Sequence, residues 1–306
     1  SLPGCVACAY KLLLPDLSLD SPFTSSFPNV RPENCPRATS AGEPPALYGR
    51  GVLCVGDGDL SFARALLPPA GSSGKRVRAA GEGGAPHRGP GVVVATSLET
   101  RETLEGVYGA EAIGGAVGEL GEGGVGFEVD VTRLRETLGR ALPDLDLAAV
   151  DTVCWNFPCT AEGGGQDGQN QQMEANKALL RSMVANVREL GGRKGIVLTH
   201  KTKPPFDQWS IVDVVEGERE GAGGYKCRAR VAFDRCCYGG YVNRKALDRK
   251  SFTAHDAEVY CFEWEAGEGE GQGAGAGEGW GEERGLVRVT EDVLSGVRSN
   301  FMNAVV

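Results

Sequence analysis

A loop of glycine and aspartate at residues 56–59 separates an apolar run from a helical pattern, and this feature constrains the fold most. Residues 51–55 predict a buried strand, and the pattern that begins at Ser61 predicts a helix. Gly56 and Gly58 let the backbone pass close to a ligand, and the N–H groups at the helix start can face a polar group. This order of strand, glycine–aspartate loop and helix predicts a nucleotide-like cofactor site. The alternative is a strand–helix turn that needs small residues for packing.

The charge of this loop narrows the choice of cofactor. A dinucleotide fingerprint requires a third glycine where this chain has Ser61, and Asp57 and Asp59 would repel a pyrophosphate. A cofactor with no phosphates and a positive charge suits the loop better. S-adenosylmethionine meets both conditions, since it combines an adenosine, an amino acid end and a sulfonium.

Strand and helix patterns alternate along the middle of the chain, which implies parallel βαβ units. The patterns after the first strand and the helix 61–67 are a strand at 92–96, a helix from Glu99, a strand at 125–129, a helix at 132–142, a strand at 150–155, a helix at 171–190 and a strand at 196–199. Two further strand patterns, 226–233 and 257–264, follow without a long helix between them. We therefore predict an α/β fold: a Rossmann-like, doubly wound, mostly parallel sheet with an antiparallel strand pair at its C-terminal end.

Composition divides the chain into three parts. Residues 1–46 hold eight of the sixteen prolines and show no sustained period, so we expect a disordered leader. Residues 47–265 form the predicted domain, and residues 266–306 form a linker and tail rich in glycine and glutamate. The chain begins with Ser1, which is compatible with a missing upstream segment. No stretch reaches 18 consecutive apolar residues, so no membrane span is expected.

The cysteines and the charge bear on compartment and partners. Several of the ten cysteines lie inside strand patterns, which favours free thiols in a reducing compartment. Cys5 and Cys8 have metal-ligand spacing, but no second pair follows, so no metal site is expected. The net charge of −9 argues against nucleic acid binding by the whole surface. Residues 226–250, however, hold eight basic and two acidic residues.

Aromatic residues are interleaved with this basic stretch, a mixture suited to phosphate contact and base stacking. They are Tyr225, Phe233, Tyr238 and Tyr241. The alternative is a solvated charged face beside an aromatic core.

Each predicted parallel strand ends at residues that could contact a ligand, as expected if one ligand lies at the carboxyl ends. Thr96, Ser97 and Glu99 could hold a ribose, and Asp130 could accept from an adenine amino group; Ser97 and Asp130 could equally be helix N-caps. The predicted cofactor contacts are Gly56, Asp57, Gly58, Asp59, Ser61, Phe62, Thr96, Ser97, Glu99, Asp130 and Val131.

The segment after the fourth strand is the best candidate for chemistry. Residues 156–159, Asn-Phe-Pro-Cys, incompletely resemble the Asp/Asn-Pro-Pro-aromatic motif with which methyltransferases acting on nitrogen hold the target N–H. Lys201, a Pro-Pro pair and Trp209 follow the fifth strand, and Trp209 could instead be a core anchor. The predicted catalytic residues are Asn156, Phe157, Pro158 and Lys201.

These motifs together resemble the eukaryotic large-subunit rRNA (uracil-N3)-methyltransferase-like family, from about Tyr48 to Trp264. The resemblance rests on the segments 55–62, 95–98, 129–132, 155–158 and 176–180, on Lys201, on the prolines at 204–205 and on Trp209. It implies an S-adenosylmethionine-dependent enzyme that methylates N3 of a uridine in ribosomal RNA or a pre-ribosome, in the nucleolus or nucleus, with the cytoplasm as the alternative. Cys159 departs from the histidine that is common in the family.

The removal of the N3 proton is the chemical problem that such an enzyme faces, because the imide ionises only well above neutral pH. Lys201 could steady the anion, Asn156 could orient the imide, and Phe157 could stack on a flipped base. Two other functions stay open: methylation of another RNA base or of a protein, and a non-catalytic protein that binds RNA or a partner.

Overall fold

The structure is a computed structural model, and it describes residues 51–67, 91–160, 170–220, 223–233, 235, 238–254 and 256–266. The predicted leader 1–46, the glycine-rich loop 163–168, the Cys5 and Cys8 pair and almost all of the predicted tail lie outside these residues. Within them, no helix is both long and apolar enough to cross a membrane.

The core of the domain is a mixed sheet of eight strands in the order β3-β2-β1-β4-β5-β8-β7-β6. The strands are β1 (Gly51–Cys54), β2 (Val92–Thr96), β3 (Val125–Gly126), β4 (Thr152–Asn156), β5 (Gly195–Lys201), β6 (Arg219–Glu220), β7 (Gly223–Ala232) and β8 (Ala257–Glu265). The first five strands are parallel, and β8 runs antiparallel to both β5 and β7. The predicted fold class is confirmed, including the antiparallel pair at the C-terminal end.

Helices pack on both faces of the sheet, because the central strands are apolar on both sides and bury two separate hydrophobic clusters. The helices are α1 (Ser61–Leu66), α2 (Arg101–Tyr108), α3 (Ala110–Leu120), α4 (Leu134–Ala141), α5 (Asn170–Glu189) and α6 (Ile211–Gly217). Thr100 caps α2 with its side chain, and Gly109, with φ of 101°, separates α2 from α3. The single helix predicted from Glu99 is therefore two helices.

The third strand is shorter than predicted. Its ladder ends at Gly126, because Glu128 adopts a left-handed conformation with φ of 58° that β pairing does not allow. The chain nevertheless stays beside the end of β2, since Val129 N donates to Ser97 O at 2.9 Å. This path delivers Asp130 and Val131 to the carboxyl edge of the sheet.

A long connection between β7 and β8 returns to the first helix, a feature that the sequence did not predict. We call residues 238–254 the β7–β8 loop. Its Tyr238 and Tyr241 rings both lie 5.1 Å from the Phe62 ring, and Val242 N donates to Ser61 Oγ at 3.3 Å. The loop therefore packs against the start of α1, at the carboxyl edge of the sheet.

Candidate functional site

A cavity of about 450 Å³ lies at the carboxyl ends of β1 to β5, beneath the β7–β8 loop. Its size is within the range of small-molecule sites. The structure brings together at its wall all four predicted catalytic residues and nine of the eleven predicted cofactor contacts: Asn156, Phe157, Pro158, Lys201, Gly56, Asp57, Gly58, Asp59, Phe62, Ser97, Glu99, Asp130 and Val131. Ser61 and Thr96 do not line it.

The two glycines of the first loop have different reasons to be glycine. Gly56 has φ of 64°, and a Cβ at this position would lie 2.7 Å from Trp155 Nε1, so the fold itself excludes a side chain there. A Cβ at Gly58 would meet only the Tyr108 hydroxyl, at 3.4 Å. Gly58 is thus the place where the loop backbone faces open space in the cavity, as a close-lying ligand requires.

Asp57 serves the helix that follows the loop. Its buried carboxylate accepts from Ala63 N at 2.8 Å and from Phe62 N at 3.5 Å, which satisfies donors at the start of α1. Burial, and then the nearby charge of Asp59, raises the pKa of this carboxyl to about 7, although the two backbone N–H groups oppose the shift. Asp57 is therefore a structural element of the cavity wall.

Asp59 is neutralised by a residue from the distant β7–β8 loop. Its Oδ2 pairs with the Arg244 guanidinium, and its Oδ1 accepts from Ser61 N at 3.1 Å. The guanidinium also lies 5.7 Å from the Tyr108 ring centre. The sequence predicts that both Asp57 and Asp59 repel a pyrophosphate. For Asp59 this expectation needs correction, because Arg244 compensates its charge.

The ends of β2 and β3 combine structural and accessible groups. Thr96 is buried and donates to Cys54 O at 3.1 Å, so its hydroxyl joins β2 to β1 and does not reach the cavity. Ser97 Oγ accepts from Glu99 N at 3.2 Å. Asp130 Oδ1 accepts from Thr132 N at 2.8 Å and caps a 3₁₀ turn, so the capping role proposed as its alternative is present. Its carboxylate still lies at the cavity wall.

Asn156 carries an unsatisfied donor at the other end of the cavity. Its Oδ1 accepts from the Thr199 hydroxyl at 2.5 Å, so the amide oxygen is already engaged. Nδ2 is buried and has no hydrogen-bond partner among the residues that the structure describes. An unpaired buried N–H group is unfavourable, and an acceptor on a bound ligand would satisfy it.

Aromatic rings surround Phe157 and Lys201 next to this donor. Phe157 has φ of 51°, an uncommon conformation for a side chain of this size, and its N–H donates to Thr199 O at 2.8 Å. Its ring lies edge-on to Phe252, at 4.9 Å between centres. Lys201 Nζ lies 4.9 Å from the ring centres of both Phe206 and Phe252. A cation and several apolar faces therefore meet beside Asn156.

His200 lines the same cavity, and it is not among the predicted catalytic residues. Its ring is buried 4.4 Å from the Trp209 ring, and its Nδ1 lies 2.9 Å from Lys201 O. Burial lowers the pKa of His200 to about 4, so this side chain is neutral near pH 7. Trp209 is buried, in agreement with its alternative role as a core anchor.

The basic stretch 226–250 does not act as one surface. Its four aromatic residues, Tyr225, Phe233, Tyr238 and Tyr241, are all buried, which agrees with the alternative of an aromatic core and not with base stacking. Arg228 pairs with Glu265 at 2.9 Å, and Arg230 pairs with Glu258 at 2.6 Å. A buried antiparallel strand and a buried loop can have the same mixture of basic and aromatic residues as a surface that stacks on bases, so composition alone does not separate the two. Lys245 and Lys250 are exposed on the β7–β8 loop.

The residues fit S-adenosylmethionine in three respects. The cavity is large enough, the open position above Gly58 admits a ligand against the backbone, and carboxylates stand at the ends of β2 and β3 near a Gly-rich turn. Among the described residues, no group of three or more His, Cys, Asp or Glu side chains is arranged for a metal ion.

Comparisons with known proteins address the family. The family model BMT5-like, described as rRNA (uridine-N3-)-methyltransferase BTM5-like, matches residues 53–245. The uncharacterized protein At4g26485 of Arabidopsis thaliana is 27% identical over 219 residues, which are 69% of this chain and 91% of that protein.

Two solved structures are similar at 11% identity. A methyltransferase homolog from Pyrococcus horikoshii has a TM-score of 0.33, with 74% of this chain and 64% of that chain covered. A 30S ribosomal A1408 methyltransferase from an uncultured bacterium has a TM-score of 0.30, with 80% of this chain and 98% of that chain covered. The family model covers well over half of the chain, from β1 into the β7–β8 loop, and the chain therefore belongs to the BMT5-like family of rRNA methyltransferases.

Proposed function

We propose that this protein methylates N3 of a uridine in large-subunit ribosomal RNA, with S-adenosylmethionine as the methyl donor. The proposed setting is the nucleolus or nucleus, and the partner is rRNA or a pre-ribosome. The domain that carries the activity spans residues 47–265. The observation on which the choice of uridine rests is the buried amide of Asn156, whose Nδ2 has no partner.

The proposed cofactor contacts lie in the half of the cavity formed by β1, β2 and β3. Gly56 and Gly58 provide the turn and the backbone surface, and Ser97 and Glu99 offer polar atoms for a ribose. Asp130 and Val131 offer a carboxylate and an apolar face for adenine. When bound, S-adenosylmethionine supplies a methyl group activated by its sulfonium.

The target base belongs in the half formed by β4, β5 and the β7–β8 loop. Uracil has carbonyl oxygens at O2 and O4 on either side of N3, and Asn156 Nδ2 offers a donor that such an oxygen can accept. We assign Nδ2 to O4, because cytosine and adenine carry an amino group at the corresponding position, which would leave two donors opposed, whereas the O2 carbonyl is common to uracil and cytosine. The amide orientation set by Thr199 thus favours uracil.

Lys201 and Phe157 complete the proposed target site. Removal of the N3 proton places negative charge on the imide, and the ammonium of Lys201 stabilises this charge in a partly buried setting. Phe157 and its neighbours provide apolar faces for a base taken out of a stack, as enzymes that act on a base require. Alignment of N3 with the methyl group then supplies much of the rate.

The test is a methyl-transfer assay. Purified protein is incubated with large-subunit rRNA transcribed in vitro and S-adenosylmethionine carrying a labelled methyl group, and the RNA is digested to nucleosides for mass spectrometry. We expect the label in N3-methyluridine. Label in a cytidine, an adenosine or a protein would overturn the uridine assignment, and tight cofactor binding with no methyl transfer would favour a non-catalytic role.

A further inference from the structure

N3 methylation of uridine releases a proton, and few described residues at the cavity wall can accept it. Asp57 is engaged by two helix N–H groups, and Asp59 is paired with Arg244. Burial raises the pKa of the Cys54 and Cys154 thiols, so they hold their protons. None of these groups is a free base near the target half.

Further groups are excluded by position or by charge. Glu99 and Asp130 follow β2 and β3, on the cofactor side of the sheet. Burial raises the pKa of Tyr241, so its hydroxyl stays protonated. Lys201 and Lys245 already carry a positive charge.

His200 differs from all of these, because its geometry determines which nitrogen is unprotonated. A carbonyl oxygen can only accept, so the 2.9 Å contact with Lys201 O places the ring proton on Nδ1. Nε2 is then the acceptor. The rings of Trp209 and Phe206, at 4.4 and 6.0 Å, hold the imidazole in this orientation.

The position of His200 along β5 connects it to the proposed target site. Thr199, the preceding residue, donates to Asn156, and Lys201, the following residue, holds its ammonium between two aromatic rings. Side chains alternate along a strand, so His200 lies on the face opposite Thr199 and Lys201, and it lines the same cavity because all three stand at the carboxyl end of β5. His200 also lines a second cavity of about 200 Å³, together with Lys201 and Phe206.

We infer that Nε2 of His200 accepts the N3 proton of the target uridine and that His200 is a catalytic residue of this enzyme. The inference rests on the proposed function. In the step, a bond forms between N3 and the methyl carbon while the carbon–sulfur bond breaks and its electron pair stays on sulfur. The electron pair of the N3–H bond stays on the base, the proton moves to Nε2, and the imidazolium later gives it to water.

The charges around His200 suit a base that must return to its neutral form. Lys201 lies next to it on β5, and Glu258 faces it on β8. The second cavity adds Asp207 and Asp213 from the segment after β5, together with Arg230 and Tyr260 from β7 and β8. Burial lowers the pKa of His200 to about 4, and the negative charge that develops on the uracil imide beside the ring would raise this pKa during the step.

The experiment compares the wild-type protein with His200→Gln in single-turnover methylation of rRNA transcribed with uridine or with 5-fluorouridine. Fluorine makes N3 more acidic, so a substrate with 5-fluorouridine depends less on a base. We expect a rate for the wild type that is flat between pH 6 and 8. For His200→Gln we expect a rate at least 100-fold lower at pH 7, rising about tenfold per pH unit, with a smaller deficit on 5-fluorouridine RNA.

Three results would overturn the inference. The first is a His200→Gln rate equal to that of the wild type with the same pH profile. The second is a wild-type rate that itself rises tenfold per pH unit between pH 6 and 8, because the RNA would then ionise without help. The pH dependence of the wild-type rate also tests the inference if His200→Gln has not folded and therefore does not bind S-adenosylhomocysteine. The third, a wild type that binds the cofactor product yet forms no N3-methyluridine, overturns the proposed function together with the inference.

Discussion

The two halves of the cavity are built in different ways. The cofactor half, at the ends of β1, β2 and β3, consists of residues that directly follow their strands, such as Gly58 and Asp130. The target half, at the ends of β4 and β5, also needs Phe252 from the β7–β8 loop. The cofactor half is local in sequence apart from the pairing of Asp59 with Arg244, whereas the target half depends on contacts between residues about 50 to 95 positions apart. This difference implies that ligand affinity and chemistry can be disturbed separately.

The largest effect is expected at Gly58, in the cofactor half. Gly58→Val places a branched side chain where the loop faces the cavity, and we expect at least a 100-fold loss of affinity for S-adenosylhomocysteine, about 2.7 kcal/mol. Calorimetric titration measures the affinity, and thermal melting should show a folded protein. Gly56→Ala is the contrasting variant, because its Cβ meets Trp155 at 2.7 Å and should lower the melting temperature instead. Unchanged affinity in folded Gly58→Val would remove the loop from the cofactor site.

A second effect concerns stability in the same half. The pKa of Asp57 rises from 3.8 to about 7 on folding, so between these values the folded state binds more protons than the unfolded state, and stability falls as pH rises. We expect the wild type to lose on the order of 2 kcal/mol more than Asp57→Asn between pH 5 and 8. Urea unfolding of both proteins at the two pH values measures the difference. Parallel losses would show that Asp57 does not titrate in this window.

In the target half, Asn156→Asp exchanges the Nδ2 donor for an acceptor with almost no change of shape. We expect the methylation rate to fall at least tenfold, more than about 1.4 kcal/mol of transition-state stabilisation. Single-turnover assays measure the rate. Asn156→Ala, which removes donor and acceptor together, should lose a similar amount. A rate within twofold of the wild type for Asn156→Asp would mean that Nδ2 does not contact the base.

A smaller loss is expected at Asp130, because one of its oxygens is already used by Thr132. Asp130→Ala should weaken binding of S-adenosylhomocysteine by about 1 kcal/mol, roughly fivefold. Asp130→Asn is the matched control, since an amide oxygen can still cap the 3₁₀ turn. If both variants bind S-adenosylhomocysteine as tightly as the wild type does, the carboxylate has only its capping role.

The smallest effect is expected at the exposed lysines of the β7–β8 loop. Changing Lys245 and Lys250 together to Gln should weaken RNA binding about threefold at moderate salt and reduce its salt dependence. Arg228→Gln is the control, because Arg228 is paired with Glu263 and Glu265 and should contribute little. Filter binding across a salt series measures both. Equal behaviour of the two variants would assign the lysines to an ordinary solvated surface.

The cofactor half could be predicted from sequence because the carboxyl end of a parallel strand fixes where the next residue lies. The prediction was limited by side-chain direction, since Thr96 and Ser61 follow the right strands but bond to Cys54 and to the β7–β8 loop. It was also limited at β3, where the left-handed Glu128 ends the ladder early. Neither feature produces a pattern in a single sequence.

In the target half, Asn156 and Lys201 could be predicted because they too follow strands. The contact of Phe157 with Phe252 could not, because 95 residues separate the two and no periodicity connects them. The neutral state of His200 depends on burial against Trp209, which a sequence does not show. The helix α6 is only seven residues long, and a helix this short carries little periodic signal.

The most direct test of the division into two halves compares Asp130→Ala with Asn156→Asp. For each variant, one measures the affinity for S-adenosylhomocysteine and the single-turnover methylation rate at saturating S-adenosylmethionine. The account predicts that Asp130→Ala binds about fivefold more weakly and methylates at nearly the wild-type rate. It predicts that Asn156→Asp binds with wild-type affinity and methylates at least tenfold more slowly. A loss of affinity in Asn156→Asp equal to that in Asp130→Ala, or an equal loss of rate in both, would contradict it.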